Sequence, residues 1–360
     1  MGRSGTQEVS PRGKRVHAVG AYGFGNFGDE LFVATVRENE SRIWPGATVR
    51  TFAPASGAAW YSGSNLLGRI ARLGTAMAGL AWATIVAMCG GSILQDVQGV
   101  SRLRSKFLGR KRVEALGVSV GPFADAAASL RVANYLGRMD RIVVRDEASV
   151  QRLRKLSIVA RNGGDLAALS ALVGPYERKA ALITICPSAA SGVDATQLLS
   201  QVREGLTAVR AEEGWERPQI ALLALSSGGS YPDRPLCEAL ASPLRGDGLE
   251  VETQTFEELG LRGTCKALAQ SGMVWSQRLH GGIVAYLSEV PFVLVGHHAK
   301  CIDFGRDIGA ESLIVDPAGS WVPAIRRLTR GEAPPSIPAE VYRQRARSVY
   351  LVGHETRPQL

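Results

Sequence analysis

Short apolar runs alternate with amphipathic stretches along almost the whole chain. Runs at 16–21, 48–52, 85–89, 115–120 and 142–144 predict buried strands. Between them a 3.6-residue periodicity predicts helices over 29–40, 65–82, 101–112, 128–138 and 146–156. The alternation then restarts. Strands are predicted at 181–186, 219–225, 249–253, 273–275, 291–295 and 312–315, with helices over 195–213, 233–245, 256–270, 279–288, 300–308 and 320–329. Apolar strands separated by helices mean βαβ units and parallel sheets, so the fold class is α/β with two Rossmann-like domains. The stretch "ARNGGDLAALSALVGPYERKA" separates the two series and is rich in Gly and small residues. We read 1–14 as a disordered tail, 15–172 as the first domain, 173–335 as the second, and 336–360 as a closing helix or tail. Two such domains imply a cleft, with ligands at the carboxyl ends of the strands.

Residues 73–89 carry no charge over seventeen positions, close to the lower limit of a membrane span. Arg69 and Arg72 precede the stretch and "ATIVAMCGGS" ends it as a strand entering a Gly turn, so a helix followed by a core strand is expected. A helix lying on a membrane surface is the alternative. Composition changes the picture mainly through charge. A net +9 and a pI near 9.6 favour anionic partners. No segment pairs dense basic residues with spaced aromatics, so nucleic acid is not expected. The basic run from Arg102 to Arg112 reads as a solvated helix face. Five cysteines, an odd count without a CxxC, suggest reduced thiols and a cytoplasmic protein. The N-terminus lacks the apolar core of a signal peptide.

"GFGNFG", Gly23 to Gly28, follows the first strand and opens the first helix, as a dinucleotide fingerprint does. That fingerprint needs an acid at the end of the next strand for the ribose hydroxyls. Here the strand ends "TFAPAS", and Asp29 and Glu30 in the first helical turn would repel a pyrophosphate. NAD is therefore not expected, and the informative letters are Gly25-Asn26-Phe27-Gly28-Asp29-Glu30. Asp29 reads either as a helix cap or as an acid facing the cleft.

Further segments fall in order: "MCGGSILQD" (88–96), "ALGVSVGPF" (115–123), "IVVRDEASVQRL" (142–153), "NGGDLAAL" (162–169) and "VWSQRLHGGIVAYLSEVPFVLVGHHAKCIDFGRDIG" (274–309). Together with the Gly loop they resemble the polysaccharide pyruvyl transferase family. Ser92 stands where that family usually has a third glycine, and His297 where it commonly has a tyrosine. The resemblance implies a GT-B-type arrangement. It also implies transfer of the enolpyruvyl group of phosphoenolpyruvate (PEP) onto a sugar, giving a pyruvate ketal and phosphate, with PEP as co-substrate and no other cofactor.

PEP carries a phosphate and a carboxylate, so its site needs converging cations and N–H donors. Arg278, at a strand end before a helix, is the first candidate and Lys300 the second. The helix N-terminus adds donors, and Gly281 and Gly282 let the backbone approach. Arg145 either opposes them from the first domain or pairs with Asp146 or Glu147. His280 lies two residues from Arg278 and is the candidate acid delivering a proton to the PEP methylene. His297 and His298 are weaker candidates, and no ligand spacing accompanies them, so no metal is expected. Asp29 is the candidate base, with Asn26, Gly28, Glu30, Gln95 and Asp96 on the sugar acceptor, a glycan or lipid-linked glycan. This places the protein in the cytoplasm, at the inner membrane face if it makes peripheral contact. Two alternatives remain open: a GT-B glycosyltransferase using a nucleotide sugar, with Glu311 or Asp316 on the ribose, and a non-enzymatic anion- or membrane-binding protein.

Overall fold

The computed structural model describes residues 13–54, 58–63, 65–91, 94–97, 111–228, 232–332 and 334–350. The first sheet contains β1 (Arg15–Val19), β2 (Thr48–Arg50), β3 (Ile85–Cys89), β4 (Arg112–Val118), β5 (Arg141–Val144) and β6 (Arg161–Asn162). Its order is β2-β1-β3-β4-β5-β6, every pair parallel. The second sheet contains β7 (Lys179–Cys186), β8 (Gln219–Ala224), β9 (Val251–Thr255), β10 (Ser271–Ser276), β11 (Phe292–Val295) and β12 (Ile314–Val315). Its order is β12-β11-β10-β7-β8-β9, again parallel throughout. Central strands such as β3 and β5 are buried at every position, because helices cover both faces.

Among the described residues, the helices of eight or more residues are α1 (Phe27–Glu38), α2 (Leu66–Trp82), α3 (Ala126–Leu136), α4 (Glu147–Arg154), α5 (Ala195–Glu213), α6 (Arg234–Gly246), α7 (Phe256–Ala269), α8 (Leu279–Leu287), α9 (Ala299–Asp307), α10 (Val322–Thr329) and α11 (Ala339–Ala346). The order of each sheet reverses once, between β1 and β3 and between β7 and β10. Crevices open at the carboxyl ends of the strands there, which is where α/β sheets bind ligands.

One hydrophobic cluster spans both halves. Helix α1 turns Phe32, Val33 and Val36 onto its own sheet, and puts Phe27 and Leu31 among the side chains of α7 and α8 in the second half. The loop before it is stitched across: Phe27 N donates to Leu225 O at 2.9 Å and Ser227 N to Gly25 O at 2.9 Å. Gly25 has a φ of 72°, and an added Cβ would lie 2.5 Å from Ser227 Oγ, so only glycine fits this crossing. After the second sheet the chain returns. On α11, Tyr342 is buried with its hydroxyl accepting from Asp165 N at 2.8 Å. Val349 packs into the first sheet's core, and the Tyr350 hydroxyl donates to Asn39 at 2.6 Å.

Two expectations change. The helix expected over 101–112 lies outside the described residues except at its end, where the strand β4 begins at Arg112 rather than 115. The two-residue strand β6 was not foreseen, because "RN" carries no apolar signal. All five cysteines are buried and unpaired.

Candidate active site

The candidate residues come from five strand ends that meet between the halves. The loop after β1 delivers α1. The turn after β5 delivers Arg145 and, past β6, Asp165. The turn after β10 delivers Gln277, Arg278 and His280. The turn after β11 delivers His297, His298 and Lys300.

Asn26 caps α1 by accepting from Gly28 N at 3.0 Å and Asp29 N at 3.4 Å, which fixes the first turn. Gly28 then leaves the space that His280 fills. A Cβ there would lie 1.9 Å from His280 Nδ1. The imidazole meets the Phe32 ring edge-on at 4.9 Å. Its Nε2 lies 3.6 Å from Oδ2 of Asp165, a fully buried carboxylate from the other half of the molecule. Asp165 is itself anchored, with Oδ1 accepting from Ala167 N at 2.8 Å. Arg145 Nη1 stands 3.8 Å from its Oδ2. Burial pushes the Asp165 pKa up, but His280 and Arg145 outweigh it, so the group stays ionised below the usual carboxylate range.

Asp29 behaves in the opposite way. Burial dominates and raises its pKa, although His280, Lys300 and Arg145 oppose the shift. A carboxyl that holds its proton more readily is a better base when ionised. Lys300 is lowered, first by burial and then by Arg145. Among the described residues its ammonium has no hydrogen-bond or ion-pair partner. His297 is pushed down to about 4, by burial and then by Lys300. His298 is lowered for the same two reasons, and its Nδ1 caps α9 by accepting from Lys300 N at 3.3 Å.

Arg278 is held rather than free. Its Nε donates to Asp233 Oδ2 at 2.9 Å and its Nη2 to Oδ1 of the same buried carboxylate. Asp233 precedes α6 but makes no side-chain cap bond, because its oxygens are turned to Arg278 and to Ala189 N. Gln277 Oε1 accepts from Ser188 N at 2.8 Å across the β7–β10 crevice. Among the described residues, three buried polar atoms around this junction have no hydrogen-bond partner: Arg145 Nη2, Gln277 Nε2 and His297 Nδ1, while Asp165 Oδ2 and His280 Nε2 have only each other, at 3.6 Å. Buried polar atoms are nearly always satisfied, so a group of orphans at one junction marks a place built for a polar ligand.

The structure therefore brings together His280, Asp29, Lys300 and Arg145, with Arg278 within electrostatic reach of Lys300. Other expected site residues have internal work. The Gly281 and Gly282 amides donate to Arg278 O, and their missing side chains make room for Ser276 Oγ and Leu294, so both glycines serve helix packing rather than ligand approach. Glu30 Oε1 accepts from Gly23 N at 2.8 Å and braces the loop. Asp96 is clamped by Arg131 through bonds of 2.7 and 2.8 Å. With Asn26 occupied as a cap, the acceptor contacts expected of Asn26, Glu30 and Asp96 lose those side chains, while Gln95 is half-buried beside Asp96. Asp165, Asp233 and Gln277 were not singled out. Asp165 had a signal in the Gly-Gly turn of "NGGD", whereas Asp233 reads as an ordinary helix cap before Pro235.

The chain is similar over its length to solved UDP-N-acetylglucosamine 2-epimerases. A putative one from Listeria monocytogenes shares 10% identity, covering 91% of this chain and 93% of that one, with a TM-score of 0.59. The Neisseria meningitidis enzyme bound to UDP-GlcNAc shares 10% over 93% and 98%, with 0.58. The Methanocaldococcus jannaschii enzyme in complex with UDP-GlcNAc and UDP shares 10% over 93% and 99%, with 0.57. At such identity the likeness shows the fold alone, a GT-B-type pair of parallel α/β domains. The model of the polysaccharide pyruvyl transferase family matches residues 26–299, and the chain belongs to that family, a transferase family of polysaccharide biosynthesis. No curated protein matches the chain.

Proposed function

We propose that the protein moves the enolpyruvyl group of PEP onto a sugar to form a pyruvate ketal. The observation that carries this reading is the cation-rich junction: Lys300 without a hydrogen-bond or ion-pair partner among the described residues, Arg145 with an orphaned Nη2, and Arg278 fixed by Asp233. Buried Arg145 and half-buried Arg278 both act repulsively on half-buried Lys300, and a small dianion relieves that repulsion. PEP supplies two anionic groups within a few bonds.

In this reading His280 gives a proton to the PEP methylene carbon, and positive charge develops at C2. A sugar hydroxyl attacks C2 and loses its proton to Asp29. A second hydroxyl then displaces phosphate from the same carbon, and its proton leaves with the phosphate. The first hydroxyl's proton replaces the one given to the methylene, so the sum is PEP plus a diol giving a ketal plus inorganic phosphate. Asp165, ionised and 3.6 Å from Nε2, orients the imidazole. The reaction belongs in the cytoplasm, on a glycan or a lipid-linked glycan at the inner membrane face.

The test is a panel of glycan acceptors incubated with PEP, following phosphate release and a product mass gain of one pyruvate ketal. Nucleotide release from a UDP-sugar, with no phosphate from PEP, would instead make the protein a glycosyltransferase. Binding of PEP without turnover on any acceptor would favour a plain anion-binding protein.

A further inference from the structure

Helix α2 has its large and small apolar residues on the unexpected sides. The residues it buries are Gly68, beneath the preceding loop at Gly63, and Ala76, Gly79 and Leu80. Gly79 is needed there, since a Cβ would lie 2.2 Å from His17 Nε2. The opposite face shows Leu66, Leu67, Ile70, Leu73 and Met77 to solvent, joined by Trp60 from the short preceding helix, all between 44% and 71% exposed. Positions 66, 70, 73 and 77 repeat every three or four residues and so form one stripe along the helix. A helix made only to cover a sheet would bury its leucines and expose its small residues.

We propose that this face seats the protein on an anionic lipid surface. Charge decides the occupant. From Ser41 to Gln95 the sequence has no acidic residue, and from Ser41 to Val113 it has ten arginines and lysines against the single acid Asp96. Arg69 is exposed beside the stripe. An apolar stripe with an exposed arginine beside it, in a segment free of acids, suits a helix lying in the headgroup region. A second copy of this chain would bring the same positive charge to the contact and be repelled. The helix is about 26 Å long at 1.5 Å per residue. No helix among the described residues is long and apolar enough to cross a membrane, so the contact is peripheral.

The face also lies next to the candidate site. Tyr61, between Trp60 and the stripe, packs on Phe24 with ring centroids 5.6 Å apart, and the Arg72 guanidinium sits 5.7 Å over the same ring. Phe24 belongs to the loop that opens α1. Seating α2 on the bilayer therefore brings the mouth of the cleft to the headgroups. This deepens the reading above by selecting a lipid-linked acceptor, although its test needs no PEP.

The test is co-flotation with vesicles of phosphatidylcholine, with and without phosphatidylglycerol. The wild type should float with the anionic vesicles and less so at raised salt. The variant Leu66→Ser/Ile70→Ser/Leu73→Ser changes only exposed positions, and should melt like the wild type while losing at least about tenfold in partitioning. Arg69→Glu, a second exposed change, should weaken it as well. Failure of the wild type to float, or equal flotation of the triple variant, overturns the proposal. So does a dimer that the triple variant dissociates without changing flotation, because the occupant is then a second copy. Flotation that holds while PEP gives no phosphate sinks the pyruvyl transfer reading and leaves this one standing.

Discussion

Replacing Gly28 by alanine adds a single methyl at the meeting point of α1 and His280. That Cβ would lie 1.9 Å from Nδ1 and 2.4 Å from Cε1 and Cγ, whereas ordinary contact begins at 3.4 Å, so ring and helix must separate by about 1.5 Å. Neither moves freely. The ring is backed by Phe32 at 4.9 Å and faces Asp165 at 3.6 Å. The helix start is tied to the other half through Phe27 N and Leu225 O. A misplacement of about 1 Å in a catalytic group costs roughly 100-fold in rate. Gly28→Ala should therefore lower kcat for phosphate release from PEP by about that factor or more. Stability should change less, since overpacking costs about 1–3 kcal/mol while alanine gains about 1 kcal/mol over glycine in a helix. Gly74→Ala is the control: a Cβ there meets nothing within 4 Å, so kcat should hold and Tm should rise slightly. Steady-state kinetics and thermal melts of both variants decide the matter. A Gly28→Ala protein with wild-type kcat would show that His280 does not need its place against α1.

Other outcomes are expected. His280→Gln should lower the turnover plateau by about 100-fold or more and shift the PEP midpoint much less; an unchanged plateau makes the histidine a ligand rather than the acid. Arg278→Ala should weaken PEP binding and destabilise the fold by about 3 kcal/mol, because buried Asp233 loses its partner, and adding Asp233→Ala should restore stability but not affinity. Equal melting of Arg278→Ala and the wild type would mean that the pair does not hold the loop. His297 has its pKa lowered from 6.5 to about 4, so the folded state binds fewer protons than the unfolded chain across that window. Stability should fall as pH drops from 6.5 towards 4, and His297→Gln should flatten this slope in pH-dependent denaturation; an unaltered slope assigns the acid sensitivity elsewhere.

The alternation of strands and helices was legible because buried parallel strands such as "IVAMC" and "RIVV" are apolar at almost every position and are bounded by Gly turns or charges. The double burial of α1 had a trace in "FGDELFVATVRE", which is apolar on more than one face. His280, Arg278 and Lys300 were legible because each stands at a strand-to-helix turn. Asp165 and Asp233 were not, because local sequence shows an acid at a helix start but not which cation reaches it across the fold. Asp96 misled for the same reason: a Gly turn marks a strand end, and nothing local shows that Arg131, 35 residues on, closes over the carboxylate.

The returning C-terminal segment ties the order of synthesis to activity. Domains fold as they emerge from the ribosome, so the first sheet can assemble while the rest of the chain is still being made. At that stage Asp165 lacks the Tyr342 hydroxyl that holds its backbone, and the place of Val349 in the first core stays unfilled. His280 meets Asp165 only after the second sheet exists, and the Tyr342 hydroxyl reaches the Asp165 backbone amide later still. A nascent chain thus holds its first sheet before Asp165 has met either His280 or Tyr342.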